Sequence, residues 1–287
     1  MMKYDINKIK NELDNSGFTF VKNIFSEEEM NHLKSISHKE CSLVDYKKGV
    51  SGDVINNKNI RNIIFKDSVI DIMRSIVNNK DLVYTFDSQI HCKPNRRIFH
   101  TDARNDEVNP RKNNYPIYRL GIFLQDHKDY SGGIKFRKNS HRRHIINKHL
   151  IKNILLGKQN LSDPISFFNF GKIVNARTEV GDLGIWSLRT EHSGGAVIPK
   201  LFSNIAFLPF IDNLIPGILK KPEHENRVAI FYTFGEASNC LNNYIDYKIK
   251  NDKDKEHWEK SFIDNDVMQF TEKKGFSIHQ KLFDFLK

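Results

Sequence analysis

Apolar residues near the start of the chain recur at helical spacing: Ile6, Ile9 and Leu13 share one face. Gly17 then breaks the pattern, and Phe18–Val21 is short and β-prone. Ser26, followed three residues later by Glu29, is a capping box. It predicts a helix through about Ile36, with Met30, Leu33 and Ile36 inward. Another helix is predicted over Ser68–Val77. From about Asp81 the period changes. Short β-branched and aromatic runs follow one another at Leu82–Phe86, Gln89–Lys93, Tyr118–Gln125, Gly133–Arg137, Gly184–Leu188 and Val228–Phe234. Turn residues bound several of them, as at Lys93-Pro94-Asn95, Ser131-Gly132-Gly133 and Gly181-Asp182. Many short strands with such turns predict a sandwich or jelly roll.

The predicted organisation is one domain over 1–287, mainly β with helices in the α+β class. A helical flank covers 1–80, and a β-core covers 81–235. The core is interrupted by a helical insertion at 144–157 and an apolar, Pro-punctuated one at 199–222. A helical tail occupies 252–287. No repeat of a 20–50-residue unit is visible.

Composition narrows the class. Hydrophobic residues make up 39% and charged residues 28%, which fits a folded chain better than a disordered one. Apolar runs such as Ile205–Phe210 are far too short to cross a bilayer, so no transmembrane segment is expected. The first residues lack an apolar signal core, so a cytoplasmic protein is expected. Cys41, Cys92 and Cys240 are odd in number and far apart, without CxxC spacing, so reduced thiols are the expectation. The formal net charge of +10 would favour anionic partners, but the lysines are scattered and no nucleic-acid-binding signature accompanies them. A nucleic-acid partner is therefore not expected. Nothing in the sequence speaks to oligomeric state.

The candidate chemistry lies in His100-Thr101-Asp102 and in His192. In extended backbone, residues two apart face the same way, so an imidazole and a carboxylate converge. Two histidines and one carboxylate on one face of an octahedron leave three open positions, the facial triad that suits iron(II). An isolated His-x-Asp is weak evidence by itself, because such pairs arise by chance.

The surroundings of the triad resemble the phytanoyl-CoA dioxygenase family of iron(II)- and 2-oxoglutarate-dependent oxygenases. The likeness runs from about Phe18 to Gly235. Gly17 to Ser26 resembles the family's opening strand and capped helix, and Ser88 to Pro94 the strand before the His-x-Asp. Leu120 to His127, Ser131-Gly132-Gly133 and Asn139-Ser140-His141 are similar to a core strand that turns through a Gly pair and ends near Ser-His. Gly181-Asp182 before the distal histidine fits as well.

The resemblance implies a double-stranded β-helix, or jelly-roll, core flanked by helices. It implies iron(II) on His100, Asp102 and His192, with 2-oxoglutarate as cosubstrate and dioxygen as oxidant. An arginine should hold the distal carboxylate of 2-oxoglutarate, since its planar fork meets both oxygens. Arg227, at the head of Val228–Phe234, is the candidate, although it follows His192 at an unusual distance. Gln89 resembles the family's cosubstrate-reaching amide. Ser193 lies beside the distal histidine, but Gly194 occupies the step where a hydroxyl is usual. Tyr118 is a further candidate hydrogen-bond donor to a carboxylate.

The implied reaction is hydroxylation of a small molecule, with release of succinate and carbon dioxide. Asp102 fills the position that related halogenases keep small, which favours hydroxylation. Desaturation, epimerisation and ring closure use the same oxidant and stay open. Arg104, Arg137 and Arg189 flank the motifs and suggest an anionic substrate, against the plain alternative of surface charge. Trp186, His127 and His141 read as packing or strand-end residues. The competing readings are a protein or nucleic-acid hydroxylase on the same core, a non-catalytic jelly-roll binding protein, and a zinc hydrolase with the same ligands.

Overall fold

The capping box forms as the sequence predicts. The Glu29 N–H donates to Ser26 Oγ at 3.2 Å, and the Ser26 N–H donates to Glu29 Oε2 at 2.7 Å. In this computed structural model residues 4–43, 50–92, 98–103, 115–142, 172–224, 226–250 and 255–286 are described. The turn at Lys93-Pro94-Asn95, Arg104 and the insertion predicted at 144–157 lie outside them.

Helix α1 (Ile6–Ser16) ends at Gly17, whose φ of 87° turns the chain into β1 (Phe18–Val21). Helix α2 (Glu27–Ser42) runs past the predicted end near Ile36. Its later inward positions are Ser37 and Cys41, which do not register as an apolar stripe. Two helices follow, α3 (Lys58–Ile64) and α4 (Asp67–Ile76). The strands are β2 (Leu82–Tyr84), β3 (Gln89–Cys92), β4 (Ile117–Phe123), β5 (Gly133–Arg137), β6 (Ile173–Asn175), β7 (Leu183–Ser187) and β8 (His192–Ala196). A short helix α5 (Pro209–Leu214) precedes β9 (Val228–Glu236). The tail holds α6 (Asn239–Ile249), α7 (Lys255–Glu259), α8 (Asn265–Lys274), the short strand β10 (Ser277–Ile278) and α9 (Gln280–Phe285).

The strands form two sheets. The larger has the order β1-β7-β4-β9-β2-β10, with β3 also on β9; the smaller has the order β6-β5-β8. Aromatic rings bridge them: Phe18 of β1 stacks on Phe136 of β5 at 4.5 Å, and Trp186 of β7 meets Phe136 at 5.4 Å. The outer face of the larger sheet packs against the helices. On β9, Val228, Ile230, Tyr232 and Phe234 join the helical core, while Ala229 and Phe231 face the inner cluster. A strand covered on both faces reads as a continuous apolar run, which is why β9 is conspicuous in the sequence. The architecture is a jelly-roll core with flanking helices in the α+β class.

One feature differs from the expectations. Cys41 of α2 and Cys92 of β3 form a disulfide, with their Cα atoms 5.7 Å apart, so those two thiols are not reduced. They are 51 positions apart and meet only because α2 packs on β3, a relation that spacing cannot reveal. The apolar insertion at 199–222 loops out and returns on itself. Pro199 and Lys220 form an antiparallel bridge, the Lys200 N–H donates to Leu219 O at 2.9 Å, and the Lys221 N–H donates to Ile198 O at 2.8 Å. Ser131 braces this neck: its hydroxyl donates to Lys221 O at 2.8 Å and accepts from the Ile198 N–H at 3.0 Å. The chain thus leaves β8 and returns to nearly the same place. Among the described residues no helix is long and apolar enough to cross a membrane.

Candidate metal centre

His100 and His192 are direct cross-strand partners. The His100 N–H donates to the His192 carbonyl at 3.0 Å, and the His192 N–H donates to the His100 carbonyl at 2.9 Å. Such a doubly bonded antiparallel pair projects both side chains from one patch of backbone. Their ring centroids lie 4.4 Å apart. Two residues on, the Asp102 and Ala103 N–H groups both donate to Leu188 O at 3.0 Å, which pins the carboxylate beside the end of β7. Candidate ligand atoms of His100, Asp102 and His192 all lie within 4.8 Å of one another. The Asp102 carboxylate is 3.6 Å from His192 Nε2 and 4.0 Å from His100 Nε2.

Both imidazoles turn Nδ1 to a backbone carbonyl and leave Nε2 toward the site. His100 Nδ1 donates to Ile98 O at 2.9 Å, and His192 Nδ1 donates to Thr190 O at 3.0 Å. A carbonyl can only accept, so each neutral ring carries its proton on Nδ1 and keeps the Nε2 lone pair for a metal.

A chain of largely buried charges stands behind Asp102. Burial alone would raise its carboxyl, but His192, Arg119 and His100 overcome that and hold it well below the usual carboxylate range. Arg119 Nε lies 3.5 Å from Asp102 Oδ2, and Arg119 Nη2 lies 3.0 Å from Asp87 Oδ2. Asp87 also accepts from the Tyr244 hydroxyl and sits 3.2 Å from Lys248 Nζ. Against its burial, those cations keep Asp87 ionised far below its ordinary range.

The triad opens into a pocket. Gln89, His91, Arg119 and Arg227 give it polar groups, while Ile134, Trp186 and Phe231 give it apolar walls. The Trp186 ring is 5.7 Å from His192 and 5.9 Å from Phe231. Gly121 makes room for that wall: a Cβ there would lie 2.9 Å from Trp186 and 3.0 Å from Phe231.

Arg227 reaches this pocket from the head of β9, 35 positions after His192, because the intervening excursion closes on itself. It is buried under the Gly132 turn, where an added Cβ would sit 3.5 Å from its Cδ. Burial pushes its guanidinium down to about 10, and Glu223 acts in the opposite sense. His127 lies nearby, pushed down to about 3 by burial and then by the charge of Arg227. Gln125 orients it: Gln125 Oε1 accepts the Val228 N–H at 2.8 Å, which turns its amide NH2 to His127 Nε2 at 3.3 Å. His127 Nδ1 then donates to Thr178 Oγ1 at 3.1 Å.

The other candidates divide. Gln89 is in the pocket, its Oε1 accepting from His91 Nε2 at 2.7 Å. Ser193 lies between His192 and Gly194, which both line the pocket, and so points to the other side of β8. Tyr118 packs with the helical core on the outer face of β4, its hydroxyl pushed up to about 12 by burial and by Asp14 and Glu236. Arg137 is turned to Glu191, 2.9 Å away, and lies over the Phe99 ring; Arg189 lies over Tyr115. Neither lines the pocket. Trp186 does, although the sequence suggests packing alone. Arg119, His91 and Phe231 are not singled out by the sequence reading. The signal for Arg119 is a charge at an inward position of the apolar strand β4.

No protein-family model and no curated protein matches the chain. Solved structures do. SnoN, a non-heme α-ketoglutarate-dependent epimerase from nogalamycin biosynthesis, aligns with a TM-score of 0.56 at 12% identity, over 81% of each chain. EctD from S. alaskensis, solved with bound Fe, aligns with a TM-score of 0.54 at 13% identity, over 81% of this chain and 77% of its own. HygX from Streptomyces hygroscopicus, solved with nickel and 2-oxoglutarate, aligns with a TM-score of 0.54 at 12% identity, over 80% and 86%. The chain shares its fold with these structures. Within it, His100, Asp102 and His192 line the inner pocket, with Arg227 lining the same space.

Proposed function

We propose that this chain is an iron(II)- and 2-oxoglutarate-dependent dioxygenase of the phytanoyl-CoA dioxygenase type. It hydroxylates a small molecule and releases succinate and carbon dioxide. The observation that carries the reading is the shared pocket: two Nε2 lone pairs and a carboxylate converge in a space also lined by a buried arginine.

His100, Asp102 and His192 would hold the iron, and their donor set suits a divalent ion that keeps open positions. Bound iron supplies the redox chemistry between 2-oxoglutarate and dioxygen. The chain's own residues do the rest. The Ile98 and Thr190 carbonyls fix the two rings, and the Leu188 carbonyl fixes the backbone at Asp102. Arg119 holds the Asp102 carboxylate ionised and oriented. Arg227 would meet the distal carboxylate of 2-oxoglutarate in a buried setting, where a charge-assisted pair is strong. Gln89, which lines the same pocket from β3, would contact the cosubstrate. Ile134, Trp186 and Phe231 keep water from the reacting centre and offer an apolar face to substrate. An anionic substrate draws no support from Arg137 and Arg189, which are engaged elsewhere. We read the chain as a single catalytic domain; the Cys41–Cys92 disulfide argues against the cytoplasmic location expected from the sequence.

The test is succinate release from 2-oxoglutarate under air, with added iron(II), across a panel of small molecules. Iron-dependent succinate formation, coupled to substrate oxidation and abolished in Asp102→Ala, is the expected result. Hydrolytic turnover with zinc and without 2-oxoglutarate would overturn the reading.

A further inference from the structure

The excursion between β8 and β9 carries an unusual surface. Among the described residues, thirteen large hydrophobics are exposed, and seven of them sit here: Leu201, Phe202, Ile205, Phe210, Leu214, Ile218 and Leu219. The other six are spread along the rest of the chain, so the excess belongs to this one segment. Leu201, Leu214 and Ile218 are 77%, 74% and 79% exposed, which is far beyond ordinary partial burial. An exposed apolar concentration of this kind marks an interaction surface.

The segment is built to present these side chains. Its neck is closed by the Pro199–Lys220 bridge. On its inner side Asp212 of α5 pairs with buried Lys135 of β5, and Lys135 Nζ also donates to Phe207 O at 2.8 Å. With Asp212 turned inward, Phe210 and Leu214, four apart on α5, share the outer face.

The charge around the patch selects its partner. Asp212 is the only acidic residue from 199 to 222, and it is buried against Lys135. Lys200 and Lys220 stand at the neck with no ion-pair partner among the described residues, on a chain whose formal net charge is +10. The acid at the neck, Asp129, is neutralised by Lys221 at 2.6 Å, which leaves Lys200 and Lys220 as the unpaired charges beside the apolar side chains among the described residues. Apolar side chains flanked by such lysines complement an anionic lipid surface. A second copy of the chain would bring the same basic rim to the contact and no exposed acid from within 199–222.

We infer that the 199–220 excursion docks the protein on bilayers carrying anionic lipid, its apolar side chains entering the interface and Lys200 and Lys220 meeting the headgroups. This inference does not depend on the proposed activity.

The test is co-sedimentation of the full chain with vesicles of phosphatidylcholine plus phosphatidylserine, and with phosphatidylcholine alone. Binding to the mixed vesicles is expected, and it should weaken at high salt. Phe202→Ser/Leu214→Ser/Ile218→Ser should lower partitioning about tenfold or more. Lys200→Glu/Lys220→Glu should lower it to a similar extent on anionic vesicles and hardly at all on neutral ones. All five positions are at the surface or the neck, and an unchanged thermal midpoint confirms that the fold is intact. Failure to bind anionic vesicles overturns the inference, as does binding that neither variant alters. A dimer by light scattering that the triple variant converts to monomer, without vesicle binding, assigns the surface to a second copy instead.

Discussion

Arg119 Nε lies 3.5 Å from Asp102 Oδ2, so the proposed carboxylate ligand is held from behind by a largely buried cation. The same guanidinium bonds Asp87, which Lys248 and Tyr244 hold in turn. A residue that orients a ligand tunes metal affinity without touching the metal. Arg119→Gln is expected to weaken iron(II) binding about 10- to 100-fold, measured by metal titration of the folded protein. It should also destabilise the fold by about 3–5 kcal/mol, because Asp87 loses a buried partner. Unchanged metal affinity in a folded Arg119→Gln protein would show that the cation is structural only.

Arg227 should govern affinity for the cosubstrate more than for the metal. Losing a charge-assisted fork of about 3 kcal/mol raises the 2-oxoglutarate KM roughly 100-fold in Arg227→Leu. Iron binding by that variant should match the parent protein. Arg227→Lys should recover part of the loss, since a point charge replaces the fork. A normal KM in Arg227→Leu would move the anchor to another residue.

Gly121 tests the aromatic wall. A Cβ at this position meets Trp186 at 2.9 Å and Phe231 at 3.0 Å. Gly121→Ala should therefore cost about 1–3 kcal/mol of stability and displace the rings into the pocket. Tryptophan fluorescence and a denaturation midpoint read the two effects together. An unshifted midpoint and spectrum would mean that the wall yields freely.

His127 makes stability sensitive to mild acid. Its folded value is pushed down to about 3, below the ordinary histidine range. The unfolded chain therefore takes up the proton first as pH falls. The contribution is intact above about pH 6.5 and declines below it by up to about 1.4 kcal/mol per pH unit. Denaturation midpoints at about pH 7.5 and about pH 5 should differ, and His127→Gln should flatten the difference. The buried carboxylates act in a separate window, since Asp87 loses its advantage only as pH drops through the ordinary carboxylate range.

Much of this arrangement is legible in the sequence because it rests on local chemistry. The Ser26–Glu29 capping box, the Gly17 stop and the apolar run of β9 each follow from rules that act over a few residues. Strand β5 has the predicted bounds, Gly133–Arg137. What is hidden depends on pairing at a distance. His192-Ser193-Gly194-Gly195-Ala196 has little β-propensity, yet it forms β8 because β5 and His100 offer it partners. Tyr118 attracts notice as a hydroxyl, but the pleat sends it outward and its neighbour Arg119 inward. One position along a strand exchanges the two faces, and only register decides between them. The Cys41–Cys92 disulfide likewise needs α2 laid on β3 before it can be seen.

The closed neck at Pro199 and Lys220 also frees one part of the molecule from another. Between those two residues the chain begins and ends at a single point, so its length does not set the position of Arg227. Lengthening such a loop is thermodynamically inexpensive, about 0.6 kcal/mol for each doubling. The outward face can therefore be rewritten or extended, as long as Asp212 still meets Lys135, while the pocket keeps its arginine, so selection on where the protein goes and on what it holds can proceed independently.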